Sequence, residues 1–273
     1  MSVYIASKKG HRPRNEDSHN YILNISGKDN NMAKANFYGL YDGHGDPHTQ
    51  GGKVISQYLA DHIFKYFMHK KVTHPLSSRY ISNVFNHVQK DIQEKHPIIS
   101  RTCGSTCLLV IQHHAGANNH ECLTIINTGD SRGVLCRDNT AHPITKDHKP
   151  CWPEERSRIE KMGGIIQHDG YDWRIKDLSV SRSFGDVDAK PFVTQTPDIF
   201  KLKLSKKDRF IILACDGLWD VMTNQDAVNY VIDNCFDSMG QQINQNINIA
   251  KKLAELALQK GSGDNVTVIV VFL

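Results

Sequence analysis

Two spacings of apolar residues alternate along this chain. Runs that are continuous or of period two, rich in aromatic and β-branched residues, predict strands at residues 37–41, 107–111, 122–126, 133–136, 210–215 and 266–273. Residues 2–7 alternate apolar and small side chains and predict an edge strand. Helical spacing places Val54, Ile55, Tyr58, Leu59, His62, Ile63 and Phe67 on one face. It does the same for Val84, Phe85, Val88 and Ile92 within residues 78–93. Further helices are predicted at 154–162, stopped by Gly163-Gly164, and at 225–235 and 247–259.

The polar connections between these elements carry the candidate chemistry. Residues 37–45 read FYGLYDGHG, a buried strand opening into a turn whose two glycines tolerate unusual backbone angles. Asp42 and His44 therefore sit where a rigid strand meets solvent. Residues 46–52 are polar and turn-rich and predict a loop. Residues 107–126 predict a hairpin whose polar loop holds His113, His114 and His120. Their loose spacing fits plain exposure better than a metal site. Residues 146–195 read as a long excursion.

Composition narrows the classes. The 273 residues are 39% apolar and 23% charged, with no linker, low-complexity tract or repeat, so a single domain over 1–273 is expected. A net charge of +4 without a Lys/Arg run argues against nucleic acid as the main partner. No segment is apolar for long enough to span a bilayer, residue 2 is Ser rather than the Gly of a myristoylation site, and the opening apolar run is too short for a signal peptide. The seven cysteines are odd in number and scattered. Reduced thiols in the cytoplasm or nucleus are expected.

Charge placement changes the picture most. Asp42, Asp130, Asp216 and Asp264 each stand beside a glycine and adjoin a predicted buried strand. Glu16 and Asp17 lie near the start, with Arg12 and Arg14. One such acid is a turn; several suggest convergence on one end of a sheet core. Clustered carboxylates repel, so a shared site needs cations. All-oxygen donors favour Mg²⁺ or Mn²⁺. Two such ions about 3.5–4 Å apart would activate a water for in-line attack on phosphorus. An arginine fork suits the phosphate oxygens.

At this point the chain resembles the metal-dependent serine/threonine protein phosphatases of type 2C. The likeness runs in order through Arg12 to Asp17 (RPRNED), FYGLYDGHG, CGSTCLLVI, TGDSRGVL, KDHKP, LSVSRSFGD, ACDGLWDVM and SGDNVTVIVV. It implies an α+β fold, an α-β-β-α sandwich of two stacked antiparallel sheets flanked by helices. It implies two Mg²⁺ or Mn²⁺ ions per subunit and a weaker third. Asp42 would bridge the two ions, with the Gly43 carbonyl beside it. Asp216 and Asp264 would ligate directly, and Glu16 and Asp17 would hold waters on the ions. Asp130 and Asp220, with Asp216, match the third site. Arg12 matches the phosphate-binding arginine and His44 the general acid. Phosphorylated proteins would be the substrates, of a chain expected to be monomeric and to bind neither nucleic acid nor membrane.

Two departures stand out. Residues 46–50 look like an insertion beside the site, and Lys176-Asp177 replace the family's usual Asn-Gly pair, with Ser179 replacing an Ala. Other phosphatase chemistries fit less well. A cysteine nucleophile needs an Arg six residues on, but Leu109 follows Cys103 and Val221 follows Cys215 at that distance. Asp186-Val187-Asp188 has the letters of an aspartate nucleophile, but polar residues 181–185 precede it. A silent phosphoprotein-binding relative would be expected to lack a metal acid, and none is missing.

Overall fold

The computed structural model describes residues 2–23, 35–45, 50–69, 72–116, 120–241, 243 and 247–273. Ten strands build two stacked sheets, every pairing antiparallel. In chain order they are Val3–Lys8 (β1), Ser18–Ile22 (β2), Asn36–Tyr41 (β3), Cys107–Ala115 (β4), His120–Thr128 (β5), Arg132–Arg137 (β6), Thr140–Pro143 (β7), Asp198–Lys203 (β8), Asp208–Ala214 (β9) and Val266–Phe272 (β10). One sheet runs β1-β10-β9-β6-β7, the other β8-β5-β4-β3-β2. The longer helices are Gly51–His62 (α1), Ser78–Lys95 (α2), Pro153–Lys161 (α3), Asn224–Cys235 (α4) and Ile249–Gln259 (α5).

The strands read as nearly continuous apolar runs because both of their faces are covered. Tyr38, Leu40, Leu108, Val110 and Ile125 of one sheet meet Ile211, Leu213, Ile269 and Val271 of the other. On the far side, Phe37, Tyr41, Leu109 and Ile111 pack against Ile55 and Leu59 of α1 and Ile81 and Phe85 of α2. Val134, Phe210, Ile212 and Val268 do the same against Val228, Val231, Leu253 and Ala254 of α4 and α5. The layers are therefore α-β-β-α. Each fully buried aliphatic or aromatic side chain contributes about 1.5–3 kcal/mol. Side chains fix three helix starts: Ser77, Thr223 and Asn248 accept from the amides of Tyr80, Asp226 and Lys251. Such caps contribute about 1 kcal/mol each.

The excursion at 146–195 has its own small core of Ile159, Ile175, Ala189 and Val193. Its tip is a two-residue turn. Lys176 and Asp177 have φ of 50° and 67°, while Ile175 and Leu178 exchange both backbone hydrogen bonds at 3.0 Å. Two successive left-handed residues make the type I′ geometry that Asn-Gly adopts with least strain.

Three expectations change. Gly51 and Gly52 are not loop but the first turn of α1, which starts after Gln50 without a side-chain cap; residues 46–49, the rest of the expected loop and most of the expected 46–50 insertion, lie outside the described residues. The hairpin strands extend past the expected limits, so His113 is buried in β4 rather than exposed. It hydrogen-bonds Thr124 at 2.9 Å and stacks on His74. Finally, Gly43 and Gly45 do not adopt positive φ. They are small because of close approach: a Cβ on Gly43 would stand 2.4 Å from the Gly52 carbonyl oxygen, and one on Gly45 2.5 Å from the Cys103 sulfur.

Candidate metal centre

Antiparallel pairing brings alternate strand ends to one edge of the sandwich, and that edge collects the acids. β3 and β5 run out into Asp42 and Asp130, and β9 into Cys215 and Asp216. β2 and β10 begin there, just after Glu16-Asp17 and Asp264-Asn265. Gly129 turns the chain toward Asp130 at φ 109°, an angle that favours glycine. The Asp42 amide donates to Thr106 Oγ1 at 3.0 Å, and the Thr106 amide returns a bond to the Asp42 carbonyl at 2.9 Å. Asn265 ties the opening loop to the same edge. Its Oδ1 accepts from the Glu16 amide, and its Nδ2 donates to the carbonyls of Lys9 and Arg14.

An open cleft of about 710 Å³ lies over this edge. Its lining includes Arg12, Glu16, Asp42, Gly43, His44, Asp130, Asp216 and Asp264, brought together from across the sequence. The flap residues Lys176, Asp177, Leu178 and Ser179 line it from the other side. Asp17 lies beneath, 3% exposed. Its Oδ2 accepts from Thr267 Oγ1 at 2.6 Å and from the Cys215 thiol at 3.5 Å, while its buried Oδ1 has no partner. Asp220 lies at the margin: it is exposed, one helical turn beyond Asp216, and borders a different, shallow cavity, yet burial and the charges of Asp130 and Asp264 still raise its carboxyl.

Burial and mutual repulsion dominate the electrostatics of this acid cluster. Burial, then the charges of Asp216, Asp17, Asp130 and Asp264, push the Asp42 carboxyl well above the usual range. Burial and Asp130 do the same to Asp216, with Lys149 pulling the other way. Burial raises Asp17 to about 6. Burial also raises the Cys215 thiol, so it is a neutral donor between Asp17 and the Asn265 carbonyl. Oxygen donors with an orphaned carboxylate oxygen among them fit a hard divalent cation.

The cations of the protein itself reach only part of this cluster. Arg12 Nη2 meets Asp264 Oδ2 at 2.7 Å from an exposed position at the cleft mouth. Lys149 Nζ lies 2.5 Å from Asp130 Oδ2 and 3.9 Å from Asp172 Oδ2, in a largely enclosed position. Burial works against the charge of Lys149, but Asp130 and Asp216 outweigh it and raise its pKa well above the usual lysine value. His44 Nε2 meets Asp186 Oδ2 at 2.7 Å. Burial opposes the imidazolium there too, yet the Asp186 charge and hydrogen bond leave the His44 pKa above its ordinary value.

Lys149 and Asp186 are the site residues that sequence reasoning missed. Both lie in stretches that stood out as motifs, KDHKP and LSVSRSFGD, but nothing local shows which acid or imidazole each will meet.

Known proteins resemble this chain in sequence and in fold. A sequence model of protein phosphatase 2C matches residues 2–266. A PP2C-like domain-containing protein of Acanthamoeba polyphaga mimivirus is 44% identical over 57% of this chain and 96% of its own length. The probable protein phosphatase 2C 71 of Arabidopsis thaliana is 33% identical over 99% of this chain, which spans 55% of that protein. The human integrin-linked kinase-associated serine/threonine phosphatase 2C is 32% identical over 99% of this chain and 72% of its own length. Among solved structures, a phosphatase from a pathogenic strain of Toxoplasma gondii superposes with a TM-score of 0.79 at 23% identity, covering 99% of this chain and 92% of its own. The match along nearly the whole sequence, on a sandwich whose acids meet at one edge, places this chain in the protein phosphatase 2C family.

Proposed function

We propose that this chain hydrolyses phosphoserine and phosphothreonine in proteins at a two-ion Mg²⁺ or Mn²⁺ site. The observation that carries this is the convergence of half-buried Asp42 and Asp216 with buried Asp17, whose Oδ1 has no partner, at one cleft. Asp42 would hold both ions, with the Gly43 carbonyl beside it, and Asp216 and Asp264 would complete the ligands. Glu16 and Asp17 would orient the waters around them. Asp130, with Asp216 and Asp220, would take a weaker third ion. The ions supply charge neutralisation and the acidity that makes water a nucleophile at neutral pH. Arg12 offers its guanidinium to the phosphate oxygens, releasing Asp264 as the substrate enters. His44 gives a proton to the departing serine or threonine oxygen. Every metal acid expected of the family is present, which supports an enzyme over a silent phosphoprotein-binding relative.

Among the described residues, none of the seven cysteines is in a disulfide. Among the described residues, no helix is long and apolar enough to cross a membrane.

The purified protein should release phosphate from a phosphothreonine peptide with Mg²⁺ or Mn²⁺ present, stop in excess chelator, and recover when the ion is restored. Full turnover in chelator would refute this reading.

The flap tip acts on access. Lys176 and Asp177 line the cleft in a turn better suited to Asn-Gly, so that pair keeps the backbone path while removing two charged side chains from the rim. With Lys176→Asn and Asp177→Gly together, KM for a phosphopeptide should shift while kcat holds. A kcat change at constant KM would show that the turn reaches the chemical step.

A further inference from the structure

We infer that Asp186 is the positioning residue for His44, holding the ring by Nε2 so that its proton is delivered from Nδ1. The inference rests on the general-acid reading of His44 given above and adds to it the atom that acts and the group that aims it.

The contact is built from parts distant in sequence. His44 belongs to the two-residue strand Gly43–His44, and Asp186 follows the matching strand Phe184–Gly185. Both pair with Gly104–Ser105, which lies between them. Gly104 has to be glycine here: a Cβ on it would stand 2.1 Å from Asp186 Oδ2. Asp186 itself has φ of 45°, a left-handed conformation that a non-glycine residue adopts at a cost of about 1–3 kcal/mol. Its amide is anchored to the Cys103 carbonyl at 3.1 Å. The Ser183 hydroxyl donates to Oδ2, the same oxygen that meets His44. Oδ1 is buried with no hydrogen-bond partner, and the side chain is only 1% exposed. A strained, enclosed carboxylate with one oxygen aimed at a ring nitrogen is an orienting device rather than a surface ion pair.

Water oxygen bonds to phosphorus and releases one proton to solvent as the phosphorus bond to the substrate oxygen breaks. The proton on His44 Nδ1 passes to that oxygen, and the neutral alcohol leaves. Nε2–H stays bonded to Asp186, and Nδ1 regains a proton from solvent. Without Asp186 the ring can rotate, and Nδ1 loses its aim.

Asp186→Asn, His44→Ala and the double variant are compared with wild type on a phosphothreonine peptide and on p-nitrophenyl phosphate. Asp186→Asn should lower kcat on the peptide by roughly 10- to 100-fold, with a smaller loss on the aryl phosphate. In the His44→Ala background it should cost nothing further. Losses that multiply in the double variant, while His44→Ala alone still hits the peptide harder, would overturn this inference and leave the general-acid reading standing. Equal losses on both substrates for His44→Ala would overturn both. An independent readout on the Mg²⁺-loaded wild-type protein needs no variant. Imidazole ¹⁵N spectra should show His44 protonated at Nε2. A neutral ring protonated only at Nδ1 would sink the proposal.

Discussion

Asp42→Asn and Asp216→Asn should each abolish almost all phosphatase activity, and do so without unfolding the protein. Each change removes a charge that a bound cation needs while keeping the side chain's shape. Loss of an outer partner of a metal site typically costs about 10–100-fold, so loss of a direct ligand should exceed that. Stability should move the other way in chelator. Burial and neighbouring acids hold Asp42 and Asp216 well above the ordinary carboxylate range, so an amide relieves the repulsion there. Asp17, raised from 3.8 to about 6, sets the pH window. A raised carboxyl adds stability below its unfolded pKa and loses it as pH rises, so the ion-free protein should melt lower at pH 7 than at pH 4. Saturating Mn²⁺ should restore the melting temperature, since an ion at 100 times its Kd stabilises by about 2.7 kcal/mol. Asp42→Asn should lose most of that gain. Equal Mn²⁺ stabilisation of mutant and wild type, by calorimetry, would place the ions elsewhere.

His44→Ala should damage a phosphothreonine peptide about 10²–10⁴-fold, and p-nitrophenyl phosphate far less. A serine or threonine alkoxide is a poor leaving group and needs a proton as it departs. A nitrophenolate leaves as a stable anion. His44 is suited to the task because the Asp186 charge and hydrogen bond outweigh burial and raise its pKa, favouring the imidazolium. If His44 served only to shape the turn after Asp42, both substrates would suffer alike. Measuring kcat on the two substrates separates these outcomes.

The sandwich was legible because its strands announce themselves. Residues 107–111 and 210–215 are apolar on both faces, and only a sheet covered on both sides explains that. β2 and β8 were not legible. Both are edge strands with polar side chains along much of their length, such as His19, Asn20, Lys201 and Lys203. The acids were legible one by one, because each follows or precedes a strong strand. What joins them was not. Asp186 meets His44 across 142 positions, and Arg12 meets Asp264 across 252, so no local pattern encodes either contact. The reason for Gly43 and Gly45 was not legible either, since it is not backbone angle. Their smallness answers to Gly52 and Cys103, which reach them through tertiary packing.

The pairing of β1 with β10 has a bearing on how the protein comes to exist at all. Residues 3–8 lie antiparallel to residues 266–271, and β10 separates β1 from β9 within its sheet. A nascent chain therefore holds Glu16 and Asp17 long before it has Asp264 to set beside them. Until Val266–Phe272 emerges from the ribosome, that sheet lacks an inner strand and one edge of β9 is left unpaired. Contacts this remote in sequence slow folding, because the loop must close before its strands gain anything from pairing. Translation stopped short of that last strand yields a chain with most of the acids and no assembled edge to hold them. The shared acid edge is thus a feature that exists only once residues 264–272 have been made and paired.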